Sequence, residues 1–194
     1  MEKNHNLVLA SRSPRRKQLL EWAEIDFVIL VKDTDEQFPA GMPVEEIPVH
    51  IARNKGHAVL TCSEFERYDA GKTILAADTI VVLDNVVIGK PANRTEAIDT
   101  LVKLSNRTHH VITGVSIISG DREEFFSDIT EVGFHSLSRD QIEYYVDKYE
   151  PYDKAGAYAI QEWIGVTGIK YIRGDFYNVM GLPVSRVVKI LQDL

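Results

Sequence analysis

Residues 7–20 read LVLASRSPRRKQLL. The apolar run Leu7–Ala10 has the length of a buried strand, and it stops at Ser11. The spacing then predicts a helix over Pro14–Glu24, with Ser13 as its N-cap and Leu19, Leu20 and Ala23 on one face. Proline suits the first helical position because its missing N–H would have no partner there. The charges that follow run against the helix dipole. Arg15, Arg16 and Lys17 crowd the first turn, where free N–H groups already make the end positive. Each such placement costs about a few tenths of a kcal/mol, so three together point to an absent anion. Free N–H groups, the Ser11 and Ser13 hydroxyls and guanidinium forks at the end of a strand would hold a phosphate. The same string would also suit a solvated helix start, a nucleic-acid contact or a phosphorylation target, so the rest of the chain must decide.

The chain has 194 residues, enough for one well-filled domain. Its hydrophobic content of 44% and charged content of 26% are ordinary for a globular protein. With 22 Lys and Arg against 29 Asp and Glu, the net charge is −7. A general nucleic-acid binder carries a net basic face, so this balance argues against one. It leaves room for a small polyphosphate, because the charge of a site is separate from that of the molecule. The single cysteine, Cys62, rules out an intrachain disulfide and reads as a half-buried structural thiol. The N-terminal MEKNHN has no apolar leader segment, and no apolar run reaches membrane-spanning length. A cytoplasmic protein without a membrane partner is expected.

The early chain alternates strands and helices. A second strand is expected at Phe27–Val31, a loop at Asp33–Pro43, and a helix at Val44–Cys62 with Val44, Ile47, Ile51 and Ala58 inward. The apolar run Ile74–Leu83 leads through Asp84-Asn85 into Val86–Ile88 as a hairpin. A helix at Thr95–Leu104 precedes two long strands, His110–Ser119 and Glu124–His135. Ser138 caps a helix to Tyr149, a strand lies within Gly165–Arg173, and Pro183–Leu194 forms a last helix with Val184, Val187, Val188, Leu191 and Leu194 on one stripe. Alternation first and antiparallel pairs later suit an α/β domain with a mixed sheet.

Asp78 lies inside the apolar run ILAADTIVVL (74–83). A carboxylate there is expensive unless it is paired or binds a cation, and small Ala76 and Ala77 leave room beside it. That favours a functional carboxylate over one that merely turns the strand. Thr79 offers a hydroxyl next to it. Other polar residues are ambiguous by themselves. Asp35-Glu36 reads as solvated loop, and Lys55 as a surface lysine of a helix. Lys90 precedes Pro91, which holds it in extended backbone. Gln161 follows the small-residue segment DKAGAY (153–158). His109-His110 reads as structural or exposed. The chain lacks the GxxxxGK[ST], GxGxxG and GxSxG patterns.

SRSPRR followed by Leu-Leu, Asp-Glu before a helix, AADT, GKP, EPYDKAGAYAIQ and a closing GLP occur in an order that resembles the Maf family over essentially the whole chain. The resemblance implies a two-lobed α/β fold, a mixed β-sheet with flanking helices around a central cleft, similar to the inosine triphosphatases. It implies a nucleoside triphosphate pyrophosphatase that cleaves between the α- and β-phosphates with a divalent metal, Mg²⁺ or Mn²⁺. SPRR and DKAGAY-x-IQ are similar to the dTTP/UTP branch, so a pyrimidine nucleoside triphosphate is the implied substrate. The branch acting on 7-methyl-GTP usually has a bulky aromatic after the proline. By resemblance Asp78 is the proton acceptor, and Arg15, Thr79 and Gln161 set specificity. Ser11, Glu36, Lys55 and Lys90 match other polar positions of the pocket. Two departures fall beside Gln161: Glu162-Trp163 stands where the common pattern has a glycine, and Ala159 replaces a frequent glycine.

Chemistry assigns these residues roles. Arg15, the Ser13 cap and the helix N-terminus would hold phosphate oxygens, with Arg16 and Lys17 as supporting charge. Lys55 and Lys90 would neutralise the leaving pyrophosphate. Glu36 and Asp78 would ligate the metal, and Asp78 would take the proton of the attacking water. The resemblance is compatible with a homodimer and with the link to septum formation for which the family is named. The alternative function is a nucleotide-binding regulator of cell division with little turnover.

Overall fold

Strand β1 (Leu7–Leu9) is parallel to β2 (Phe27–Ile29) on one side and to β3 (Thr73–Leu83) on the other, with Leu9 opposite Ile29 and Leu75. Parallel neighbours need crossover connections. Helix α1 (Pro14–Trp22) joins β1 to β2, and α2 (Ile47–Leu60) lies between β2 and β3 in the chain. The computed structural model describes residues 7–67 and 72–194. The N-terminal hexapeptide, on which the expectation of no leader rests, lies outside them. No helix among the described residues is long and apolar enough to cross a membrane.

Beyond β3 come the hairpin strand β4 (Val86–Ile88), α3 (Arg94–Leu104), the long strands β5 (Thr108–Ser119) and β6 (Arg122–Phe134), and α4 (Arg139–Tyr149). Then follow α5 (Trp163–Gly168), β7 (Ile169–Arg173), α6 (Phe176–Met180) and α7 (Val184–Gln192). The sheet has seven strands in the order β2-β1-β3-β5-β6-β7, with β4 paired to β3. The β3–β4 and β6–β7 pairs are antiparallel, so the sheet is mixed and the fold is α/β as expected.

Local chemistry explains most boundaries. Ser13 caps α1 by accepting from the Arg16 N–H, and the helix ends at Trp22 because Glu24 turns left-handed (φ 54°). α2 begins at Ile47, not Val44, because Pro48 belongs in a first turn. Asp84 and Asn85, both at positive φ, make the tight hairpin. Ser138 and Gln141 form a reciprocal capping box on α4. The strand expected within Gly165–Arg173 is β7, and α5, which was not expected, precedes it. A side chain at Gly165 would meet the Ile160 carbonyl oxygen at 1.7 Å, so glycine is required for this close approach. Leu194 falls off the expected apolar stripe of α7 and is exposed.

The chain forms two compact units. The first comprises residues up to Asp78 with Thr113–Asp128 and Gly181–Leu194, and the second comprises Thr79–Ile112 and Ile129–Met180. In the first, Val8, Ala10, Val59, Ile74, Ala76 and Ile118 form a buried cluster. A side chain at Gly114 would strike the Pro48–Val49 backbone, so α2 packs directly on this glycine. In the second, Val81, Val111 and Val132 pack together.

Beside them His109, fully buried, meets Phe134 and Tyr158 edge to face, and its Nε2 lies 2.7 Å from the Tyr158 hydroxyl. His110 is exposed. Burial, helped by neighbouring His110, lowers the His109 pKa to about 4 from the ordinary 6.5. The unfolded chain therefore binds a proton between these values and the folded chain does not. Stability is complete above about pH 6.5 and falls as pH drops towards 4. By pH 4.5 this linkage removes about 2.5 kcal/mol. Urea unfolding at pH 7 and 4.5 should show that loss, and His109→Gln should remove most of it. An unchanged pH dependence in the variant would exclude His109 as the source.

Candidate active site

Within the first unit, polar residues singled out in sequence come from the start of α1, the loop before α2, α2 itself and the middle of β3. Lys55 projects from the middle of α2. Its Nζ donates to Asp78 Oδ1 at 2.8 Å and pairs with Glu36 Oε1 at 2.6 Å. Asp78, in its apolar strand, thus finds the cation that its burial requires. Glu36 is drawn from a loop read as solvated, and Lys55 is mostly covered where a free surface lysine was the default. Asp35 stays local, accepting from the Gln37 N–H in a small turn.

The strand–helix junction lies in the same unit. Ser11 is buried; its Oγ accepts from the Ser13 N–H at 3.2 Å and from the Arg16 guanidinium at 3.0 Å. Arg16 Nε also donates to the Gly181 carbonyl at 2.8 Å. Arg16 is only 8% exposed, so its reading as supporting charge is corrected. It is an internal brace that ties the junction to the chain just before α7. Burial lowers its pKa, Asp78 raises it, Arg15 lowers it and Glu36 raises it. Even so, a guanidinium stays charged in proteins. Asp78, Arg15 and Glu36 are thus close enough to act on the Arg16 charge. Three cations (Arg15, Arg16 and Lys55) therefore share one neighbourhood with two carboxylates. Arg15 is half-buried, and Lys17 is exposed and pairs with Glu21 at 3.6 Å.

Glu36 Oε1 and Asp78 Oδ1 converge on a single ammonium, so their oxygens are placed to converge on a cation. Mg²⁺ typically takes one or two protein carboxylates and completes its shell with water and substrate phosphate. The donor set fits that habit. No group of three or more His, Cys, Asp or Glu poised for a metal occurs among the described residues.

The second unit holds Thr79, Lys90 and Gln161. Thr79 follows Asp78 directly in β3 and is half-buried. Lys90 is exposed, and the carbonyl of the preceding Gly89 accepts from the Gly156 N–H at 3.2 Å. Gly156, at φ 72°, lies against Val81, where a side chain would clash. The Lys90 turn is thereby held against the 153–158 segment. Gln161 is exposed in a turn closed by the Glu162 N–H to the Ala159 carbonyl at 3.1 Å.

Sequence reasoning passed over Lys154. It is 8% exposed and bonds Asp153 at 2.8 Å. The signal was weak, a lysine flanked by small residues. The signal for Arg16 was stronger. Arg16, Leu19, Leu20 and Ala23 follow the i, i+3, i+4, i+7 period, which turns Arg16 inward with the buried leucines and leaves Arg15 off that face.

Fold and site together describe an α/β protein with a cation-rich strand–helix junction beside a lysine-bridged carboxylate pair. The Maf-like protein family model matches residues 6–194, and the chain belongs to that family. It is 51% identical over 191 residues to a dTTP/UTP pyrophosphatase of Cytophaga hutchinsonii, covering 98% of this chain and 85% of that protein. It is 47% identical over 192 residues to a dTTP/UTP pyrophosphatase of Parabacteroides distasonis, covering 98% and 96%. A structural likeness to the Ham1 protein of Staphylococcus aureus has TM-score 0.44 at 15% identity and covers 66% of this chain and 71% of that one.

Proposed function

We propose that the chain is a cytoplasmic nucleoside triphosphate pyrophosphatase that hydrolyses dTTP and UTP to the monophosphate and pyrophosphate. The observation that carries this reading is the Lys55 ammonium bonded to both Asp78 and Glu36. A pure binder needs no partly buried carboxylate held in this way, whereas hydrolysis needs a base beside positive charge. The curated relatives bear the name of this activity.

In this mechanism Arg15 and the capped start of α1 hold phosphate oxygens. Arg16 does not touch the nucleotide; it keeps Ser11 and the junction in place. Asp78 accepts the proton of the water that attacks the α-phosphorus, and Lys55 stabilises the carboxylate until then. Lys55 and Lys90 neutralise the departing pyrophosphate. Glu36 and Asp78 would hold Mg²⁺ or Mn²⁺, which supplies charge neutralisation on the phosphates and a more acidic water. Thr79 and Gln161 contact the nucleoside. The Gln161 amide matches the acceptor and donor of the uracil or thymine O4 and N3–H edge. Cytosine presents the reverse pattern there, and an amide can flip, so discrimination needs neighbours that fix Gln161. A net charge of −7 speaks against nucleic acid as partner. The assembly proposed is a homodimer.

The test is pyrophosphate release over a panel of nucleoside triphosphates with Mg²⁺ or Mn²⁺. A clear preference for dTTP and UTP is expected, and a flat panel with little turnover would favour the regulator. Gln161→Ala should change the ranking of nucleotides more than the total capacity for hydrolysis. Equal losses on every substrate would argue against base reading by Gln161.

A further inference from the structure

The turn that presents Gln161 is held from behind by side chains with no role in phosphate chemistry. Tyr145 on α4 is fully buried. Its hydroxyl accepts from the Ala159 N–H at 3.2 Å and donates to Glu162 Oε2. The other carboxylate oxygen, Glu162 Oε1, lies 3.6 Å from Lys154 Nζ. One hydroxyl therefore grips both ends of the turn, and a nearly buried cation backs the second end. Donation to a carboxylate strengthens the hydroxyl as an acceptor, so the two bonds support each other. The neighbouring residue of α4 does a parallel job, since Tyr144 packs edge to face on Trp163 at 5.0 Å. Gly165 closes the far side against the Ile160 carbonyl.

Everything around Gln161 is thus pinned, while Gln161 itself is exposed and its side chain makes no hydrogen bond within the described residues. A structural clamp alone has no need to leave the central residue of the turn free. We propose that Tyr145 and Glu162 are specificity-positioning residues: they fix the backbone from which the Gln161 amide projects and so set its discrimination between uracil-type and cytosine-type bases. The inference rests on the reading of Gln161 as the base-contacting residue.

The experiment measures kcat and KM for UTP and CTP in Y145F, E162Q, Q161A and Y145F/Q161A, with thermal melts to confirm folding. Y145F removes the hydroxyl and with it the bonds to Ala159 and Glu162. It should raise the UTP KM about tenfold, with a smaller change in kcat, and lower the UTP-over-CTP ratio of kcat/KM at least about fivefold. E162Q keeps an acceptor for Tyr145 but loses the charge facing Lys154, and should move the ratio in the same direction by less. In the Q161A background, Y145F should change the ratio less than about twofold, because the group being positioned is gone. If Q161A alone leaves the ratio unchanged, the base-reading assignment fails, and this inference with it. If Q161A shifts the ratio but Y145F and E162Q do not, only the positioning role fails. It also fails if Y145F acts equally with and without Gln161. Should Y145F not fold, E162Q with and without Q161A decides the matter by the same criteria.

Discussion

Asp78→Asn should lower turnover of UTP and dTTP roughly 10³-fold while the protein stays folded. General-base catalysis contributes about 10²- to 10⁴-fold, and an amide cannot accept the proton. Asparagine has nearly the same shape, so the local packing need not change. Lys55 keeps Glu36 at 2.6 Å, so this partly covered cation is not left without a partner. Pyrophosphate release under excess enzyme measures the chemistry, and circular dichroism on heating measures the fold. A folded variant retaining a tenth or more of the activity would remove Asp78 from the catalytic step.

Arg16→Met should have the largest effect on stability. The guanidinium donates to Ser11 Oγ at 3.0 Å and to the Gly181 carbonyl at 2.8 Å. Hydrogen bonds to charged groups contribute about 1.5–3 kcal/mol each. Relief of the buried charge's desolvation offsets part of this, because methionine fills similar space without a charge. The net loss should be about 2–4 kcal/mol, lowering Tm by roughly 10 °C for a chain of this size. Activity should fall too, since Ser11 and the start of α1 lose their brace. Arg15→Ala should behave in the opposite way, raising KM with little change in Tm. Calorimetry on both variants separates the two arginines. Equal Tm values for Arg16→Met and the parent would show that the brace carries no stability.

Much of the fold was legible from local chemistry. The Ser13 cap, the positive-φ Asp84-Asn85 hairpin and the Ser138 capping box each depend on a few adjacent residues, and the structure has all three. Errors fell where longer-range contacts decide. α5 follows from the close approach of Gly165 to Ile160, and α6, for which nothing was expected, spans only five residues. Periodicity over so few positions does not separate helix from strand. Within the site, Asp78 stood out because a carboxylate in an apolar strand demands a partner. Glu36 and Lys55 did not, because a loop acid and a helix lysine look the same whether solvated or paired.

The amino-acid sequence by itself determined the α/β alternation, the capped strand–helix junction and the need of Asp78 for a cation, because these follow from backbone geometry and the cost of burying charge. Only the tertiary structure decided which cation answers Asp78, which of two adjacent arginines turns inward as a brace, and which side chains hold the turn of Gln161. Those choices join residues 23, 165 and 17 positions apart in the chain. Distances that short arise from packing, which no local pattern specifies.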